Sequence, residues 1–373
     1  MPSDFLNVAV VGAGSFGRHH ARVYRDLERG GEPVHLVAVV DSDLSRASAV
    51  AAEFAAQPFR TIGEMLAAAP PQAASVAVPT VQHAMVAREL MQAGVDVLIE
   101  KPLATSLAEA DEIIATAEAS GRVGQVGHLE RFNPAVRAAV PLLSEPMFFE
   151  IHRLSVFSPR ALDVDVVLDL MIHDLDIVLS FVPSPIAEIR AVGLPILSPK
   201  VDIANVRMEF ENGCVANFTA SRVSTEKIRK MRFFQPRQYL SVDYSRQDLL
   251  VFTVDLAAAP KPLPPMQEIR TGMFDFKDLL EAVGPRAELT QKAGDERMQV
   301  SSNAAGTSPL PGISMMKPPV VSEEPLRAEI RSFLDAVRHR SRPMVSLADG
   351  RRALAAALDI LEHIAAHNRR IGR

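Results

Sequence analysis

Within the first seventeen residues an apolar run flows without a break into a spaced set of glycines: Asn7-Val-Ala-Val-Val-Gly12-Ala-Gly14-Ser-Phe-Gly17. Few features limit the fold of a chain more. A buried strand must end in a tight turn, where Gly12 permits the bend and Gly14 leaves the main chain open to a close neighbour. Gly17 lets the next helix press against the strand. The N–H groups at that helix's start are free and carry a partial positive charge, which suits a pyrophosphate. A second apolar run, Val34 to Val40, ends in Asp41. A carboxylate at that place is suited to accept hydrogen bonds from the two ribose hydroxyls of an adenosine. Strand, glycine turn, helix, second strand and acid stand in the order a dinucleotide site requires. Asp41, with Asp43 beside it, repels a 2′-phosphate and favours NAD over NADP, with Arg46 the one nearby base that argues the other way.

The β/α alternation continues. Helical patterns cover about 44–54 and begin again near Thr61. Ala74 to Val78 reads as a strand ending in Pro79-Thr80, and a helix from about Val81 to Ala93 stops at Gly94. Asp96 to Glu100 is the next strand, closed by Lys101-Pro102. A helix from about Leu107 to Ala119 and a strand from Arg122 to Gly127 complete the series. Such alternation implies a doubly wound parallel sheet, a Rossmann unit over residues 1–127. Beyond it the pattern changes. An apolar helix is expected from about Asp163 to Phe181. Alternating segments follow at 186–192, 201–211, 215–223, 230–234, 239–244 and 249–254, with Glu211-Asn-Gly213 as a hairpin turn. The fold class expected is therefore α/β, with the parallel sheet followed by an α+β domain, residues 128–345, built on an open mixed or antiparallel sheet. A packing helix closes the chain over 346–373. Residues 298–319, rich in Ser, Gly, Pro and Met, read as a mobile loop.

Composition narrows the function. The chain has 373 residues and a formal charge of -5, from 40 Lys and Arg against 45 Asp and Glu, so neither nucleic acid nor a membrane surface is an expected partner. No apolar stretch is long enough to span a bilayer and the N-terminus lacks a signal peptide's form, so a cytoplasmic protein is expected. The single cysteine, Cys214, sits in a strand pattern and reads as a small packed residue rather than a nucleophile.

Three places carry candidate chemistry. Lys101 follows Glu100 at the carboxyl end of a parallel strand, where open α/β sheets bind ligands. An ammonium there suits a substrate hydroxyl and a developing alkoxide, and an exposed lysine closing a strand is the other reading. Asp169 and His173 stand four apart in Leu168-Asp-Leu-Met-Ile-His-Asp-Leu-Asp176, so on a helix both face one way. An acid/base pair with Asp169 orienting His173, a structural ion pair and a metal site are all compatible with that spacing, although no third metal ligand is evident. In Gly127-His-Leu-Glu-Arg-Phe-Asn-Pro134, Arg131 and Asn133 are suited to grip a polyhydroxylated or anionic substrate, and Asn133 equally to cap a helix opened by Pro134. His83 either faces the nicotinamide or caps its helix, and His19 and His20 read as structural.

These motifs, in this order, resemble the glucose–fructose oxidoreductase/inositol dehydrogenase (Gfo/Idh/MocA) family. The likeness rests on the glycine loop, the strand-end Asp41, Glu100-Lys101-Pro102-Leu103 and Asp169-x-x-x-His173, and it spans most of the chain. Met171 departs from the glycine usual between the Asp and the His, which bears on pocket shape. The resemblance implies NAD as cofactor and Lys101, Asp169 and His173 as catalytic residues. It implies a cofactor set of Gly12, Gly14, Ser15, Phe16, Gly17, Asp41, Pro79, Thr80, His83, Glu100 and Lys101, and a substrate set of Lys101, Arg131, Asn133 and His173. It also implies a homodimer or homotetramer joined through the open sheet. His128 to Pro134 together with Leu170 to Asp176 is similar to members acting on nucleotide sugars, the UDP-N-acetylglucosamine 3-dehydrogenases. That implies oxidation of a sugar hydroxyl, at C3 of a UDP-sugar, for lipid A or surface-glycan precursors. An inositol or free-polyol dehydrogenase and a non-catalytic NAD-binding regulator are the competing readings.

Overall fold

The computed structural model describes residues 5–157, 164–255 and 313–372. Six parallel strands form the first sheet, in the order β3-β2-β1-β4-β5-β6. They are β1 (Leu6–Val11), β2 (Val34–Val40), β3 (Gln57–Phe59), β4 (Ala73–Val76), β5 (Asp96–Glu100) and β6 (Gly124–Gly127). Helices α1 (Ser15–Arg29), α2 (Leu44–Glu53), α3 (Ile62–Ala68), α4 (His83–Gln92) and α5 (Leu107–Ser120) make the crossovers. β1, β4 and β5 are covered on both faces, which is why they read as continuous apolar runs. The strand order reverses between β1 and β4, so a crevice opens there at the carboxyl ends.

After a short helix, α6 (Pro134–Ala139), the second sheet begins with β7 (Phe148–Val156). Eight strands lie in the order β14-β13-β12-β11-β7-β10-β9-β8. These are β8 (Ile186–Leu194), β9 (Ile203–Phe210), β10 (Val215–Ser224), β11 (Ile228–Gln235), β12 (Gln238–Asp243), β13 (Asp248–Val254) and β14 (Ile313–Met316). β7 pairs parallel with β10, and all other neighbours are antiparallel, so the sheet is mixed. The Asn212–Gly213 turn joins β9 to β10, with Gly213 at φ +85°. Helix α7 (Ile172–Phe181) covers one face and is preceded by a π-helical turn over Val167–Met171.

Two expectations need correction. The single α-helix from Asp163 does not form: the wider turn precedes α7, and Asp163 lies outside the described residues. The expected loop over 298–319 contains a strand, since Ile313–Met316 adds an edge to β13; residues 298–312 lie outside the described residues. β7, at the centre of the sheet, escaped sequence reading altogether.

The last two helices return to the first sheet. On α8 (Pro325–His339), Ile330, Phe333 and Leu334 are buried with Val8, Val10 and Tyr24. α9 (Leu347–Arg370) packs its start, Leu347 and Leu354, into the core beside Ile99 and Val126. Its later Ile360 and Ile364 enter the core of the second sheet. One helix of 24 residues, about 36 Å long, thus braces both sheets. Among the described residues no helix is long and apolar enough to cross a membrane.

Candidate active site

The crevice at the strand reversal holds a cavity of about 520 Å³ lined by Gly12, Gly14, Ser15, Phe16, Asp41 and Pro79, among others. Its glycines have different reasons. Gly12 stands at φ +103°, and a Cβ there would lie 2.5 Å from the Ala77 carbonyl oxygen. A Cβ on Gly17 would sit 1.7 Å from the Gly12 oxygen, so any side chain would push α1 off β1. A Cβ on Gly14, at the start of α1, would meet nothing within 4 Å among the described residues beyond its chain neighbours. Its missing side chain therefore leaves space for a ligand against the helix N-terminus. Asp41 holds the turn from the other side: its Oδ2 accepts from the Ala13 N–H at 2.8 Å and its Oδ1 from Asp43 N at 2.9 Å. Arg46 also donates to Asp41 Oδ1, at 2.9 Å, and lies 3.5 Å from Asp43, so its charge is balanced by carboxylates rather than offered to a 2′-phosphate. The cradle fits a dinucleotide with an unphosphorylated ribose.

Thr80 opens a short 3₁₀ turn before α4 and lies half-buried outside the lining of that cavity. His83 is buried, with Nδ1 2.9 Å from the Pro102 carbonyl and Nε2 3.0 Å from the Val78 carbonyl. It ties the end of β4 to the Lys101–Pro102 turn and does not open onto the cleft as a nicotinamide contact would. Glu100 is buried, and its Oε1 lies 2.7 Å from His20 Nε2. Behind it, His20 Nδ1 meets Ser75 Oγ at 2.9 Å and Tyr24 Oη meets the same oxygen at 2.8 Å. Burial works against the Glu100 carboxylate, but the hydrogen bond and charge of His20 outweigh it and hold the group below its ordinary range. Glu100 thus anchors the strand end from which Lys101 projects.

Lys101 reaches across to the second sheet's helix. Its Nζ donates to the main-chain oxygen of Asp169 at 2.6 Å and stands 3.3 Å from Asp169 Oδ1. Asp169 lies in the π-helical turn and His173 two residues past its end, in α7, so an i to i+4 alignment drawn on an α-helix does not hold. The Asp169 carboxylate turns to Lys101, and among the described residues no carboxylate lies within ion-pair distance of the His173 ring. The expectation that Asp169 orients His173 is therefore corrected: Asp169 holds the lysine. His173 is buried, its Nδ1 has no hydrogen-bond partner, and its ring stands edge-on to that of His128, with centroids 6.1 Å apart. Burial first, and then the nearby positive charge of Lys101, push its pKa well below the ordinary histidine value. The imidazole is neutral at pH 7.

Arg131 and Asn133 stand elsewhere than expected. Arg131 grips Asp176 with two hydrogen bonds, at 2.8 and 3.0 Å. Asn133 is buried, caps α6 through the Ala135 N–H, and donates to Glu130 and to the Tyr244 carbonyl. Arg131 thus ties the segment before α6 to α7, and Asn133 fixes the start of α6 against Glu130 and Tyr244, with both its amide hydrogens and its oxygen engaged. Arg153, on β7, completes this support: it binds Asp174 through two bonds of 2.7 and 2.8 Å and Glu130 at 2.9 Å. Sequence reading missed Arg153 and His128, and read His20 as structural without its partners Glu100 and Ser75, because those partners are distant in the chain. Cys214 is buried, which pushes its thiol up to about 11, as a packing residue requires.

A dinucleotide cradle, a lysine at the strand end and a neutral histidine near it on the helix over the second sheet define a nicotinamide-dependent oxidoreductase. Residues 6–128 match the profile of the oxidoreductase family with an NAD-binding Rossmann fold, and residues 114–237 match the GFO/IDH/MocA C-terminal domain. The UDP-N-acetylglucosamine 3-dehydrogenase of Acidithiobacillus ferrooxidans is 32% identical over 357 residues, covering 95% of this chain and 96% of that protein. Its solved structure superposes with a TM-score of 0.77, at 31% identity, over 97% of this chain and 98% of its own. An inositol 2-dehydrogenase of Rubrobacter xylanophilus is 32% identical over 199 residues, 52% of this chain and 56% of that protein. An Agrobacterium radiobacter oxidoreductase solved with NAD⁺, L-tartaric acid and magnesium shares the fold, with a TM-score of 0.71 at 16% identity over 96% of each chain. The chain belongs to the Gfo/Idh/MocA family of NAD-binding oxidoreductases.

Proposed function

We propose that the protein oxidises the C3 hydroxyl of UDP-N-acetylglucosamine, or of a closely related nucleotide sugar, to a ketone. The observation that carries this reading is the end-to-end likeness to the Acidithiobacillus dehydrogenase, through both sheets and the closing helices. The likeness to inositol dehydrogenases covers about half of each chain.

NAD, held over Gly12, Gly14 and Asp41, supplies the acceptor for the hydride that leaves the carbinol carbon. The chain's own groups handle the proton and the charge. His173, neutral at working pH, takes the hydroxyl proton as general base. Lys101 places its ammonium against the same oxygen and stabilises the negative charge that grows there. Asp169 aims Lys101 and tempers its charge through the 3.3 Å contact. The buried Arg131–Asp176 and Arg153–Asp174 pairs hold α7, and so His173, in place. A cytoplasmic homodimer or homotetramer is part of the same proposal, and light scattering tests the assembly.

The test is turnover of NAD with a panel of UDP-sugars, free hexoses and inositols, with an aminotransferase or ketone trap present to draw off an unfavourable product. NADH formation with UDP-N-acetylglucosamine and not with free polyols is the expected result. Turnover confined to inositols would replace the substrate.

A further inference from the structure

Among the described residues, four cations stand at the join of the two sheets, and three of them have a dedicated carboxylate. Lys101 has Asp169, Arg131 has Asp176, and Arg153 has Asp174. The fourth is Arg229. It pairs in register with Arg153 across the β7–β11 ladder, so both side chains leave the sheet on the face that α7 covers. Among the described residues the one carboxylate within ion-pair distance of Arg229 is Glu130, at 4.0 Å, and it is already engaged. Its Oε1 accepts from Arg153 at 2.9 Å and its Oε2 from Asn133 at 3.1 Å. Arg229 Nε is buried with no hydrogen-bond partner, while 33% of the side chain is open to solvent. The guanidinium lies close enough to His173 and Asp169 for its charge to act on both. A planar donor fork, partly desolvated and partly open to solvent, lacks a carboxylate of its own among the described residues.

We propose that Arg229 anchors the phosphoryl group adjoining the sugar of the substrate, and thereby sets which hydroxyl reaches His173 and Lys101. The inference rests on the nucleotide-sugar reading for the identity of the anion. It extends that reading by naming the residue that separates nucleotide sugars from free sugars, since a free polyol carries no anion to fill this place. Arg229 is a substrate-anchoring residue. It takes no part in proton or hydride transfer.

The experiment compares the wild type, Arg229→Gln and Arg229→Lys, each loaded with NAD, by calorimetric titration with UDP and with uridine and by steady-state turnover of UDP-N-acetylglucosamine. The wild type is expected to bind UDP more tightly than uridine. Arg229→Gln is expected to weaken UDP about 10- to 100-fold, the range of a charge-assisted hydrogen bond, and to raise the KM for the nucleotide sugar by a similar factor. Uridine binding, NAD affinity and melting temperature stay as in the wild type, and Arg229→Lys recovers part of the loss. Equal weakening of UDP and uridine, or an unchanged KM, overturns the anchor. If the wild type turns over no nucleotide sugar, yet the UDP–uridine gap is present and disappears in Arg229→Gln, the anchor stands and the substrate reading falls.

Discussion

Lys101 and Asp169, 68 residues apart in sequence, meet where the two sheets join: the ammonium binds the Asp169 main-chain oxygen at 2.6 Å and faces its carboxylate at 3.3 Å. The contact ties the cofactor sheet to the helix that carries His173. It also puts a positive charge beside an imidazole already disfavoured as a cation by burial.

Lys101→Met is expected to lower kcat/KM about 10²- to 10³-fold, the usual cost of removing one group that stabilises a developing oxyanion. It should also move the acidic limb of the pH profile upward. His173 lies below the ordinary histidine pKa in the wild type, so the base form persists until the pH drops beneath that range. Without the Lys101 charge, protonation sets in at higher pH. A pH–rate profile of the two proteins checks the shift.

His173→Asn is expected to reduce kcat about 10²- to 10⁴-fold, the contribution of a positioned general base. NAD binding, followed by fluorescence titration, should be unchanged, because the cradle at Gly14 lies on other elements. An unaltered kcat would remove His173 from the chemistry.

Arg153 is enclosed by Asp174 and Glu130 and is only 2% exposed. Arg153→Met leaves two buried carboxylates without their cation and should cost about 3–5 kcal/mol of stability. Denaturant unfolding measures it. The parent arginine gives α7 its place, so kcat falls as well in whatever fraction stays folded.

Glu329, on α8, is fully buried, and neither carboxyl oxygen has a hydrogen-bond partner. Burial, with Glu100 and Asp176 nearby, raises its pKa well above the ordinary value, so the folded protein keeps it protonated. A raised acid costs no stability below the unfolded value, near 4.3. The loss grows as pH rises from there toward the folded pKa. Glu329→Gln should therefore gain melting temperature over the wild type with rising pH, and the two should converge near pH 4.

Asp41→Ser should weaken NAD and narrow its advantage over NADP. The substitution removes the carboxylate that repels a 2′-phosphate and releases Arg46 from its 2.9 Å contact. The ratio of kcat/KM for the two cofactors reads the effect.

How much of this was legible in the chain follows from what each residue needs. The first sheet was readable because its central strands are buried on both faces and its turns demand glycine. β7 was not, because the buried Arg153 occupies an inward position where an apolar residue would have marked the alternation. The burial of Arg153 depends on Asp174 and Glu130, 21 and 23 residues away. The residue types at Lys101 and His173 were visible, but their partners were not. A π-helical turn and an α-helical one carry the same apolar pattern and differ only in main-chain bonding, so the Asp169–His173 alignment failed there. Arg131 and Asn133 look the same in sequence whether a substrate or Asp176 and Glu130 occupies them. Arg229 gave no local signal, since its meaning lies in the carboxylate it lacks.

The proposed reaction removes a hydride from C3 of a UDP-sugar. The direct measurement is a reaction of the enzyme and NAD with UDP-N-acetylglucosamine deuterated at C3, under a ketone trap, followed by mass spectrometry of the reduced nicotinamide. One deuterium in the NADH and a slowed turnover are expected. NADH formed without deuterium, with the label still in the sugar, would contradict the proposed reaction.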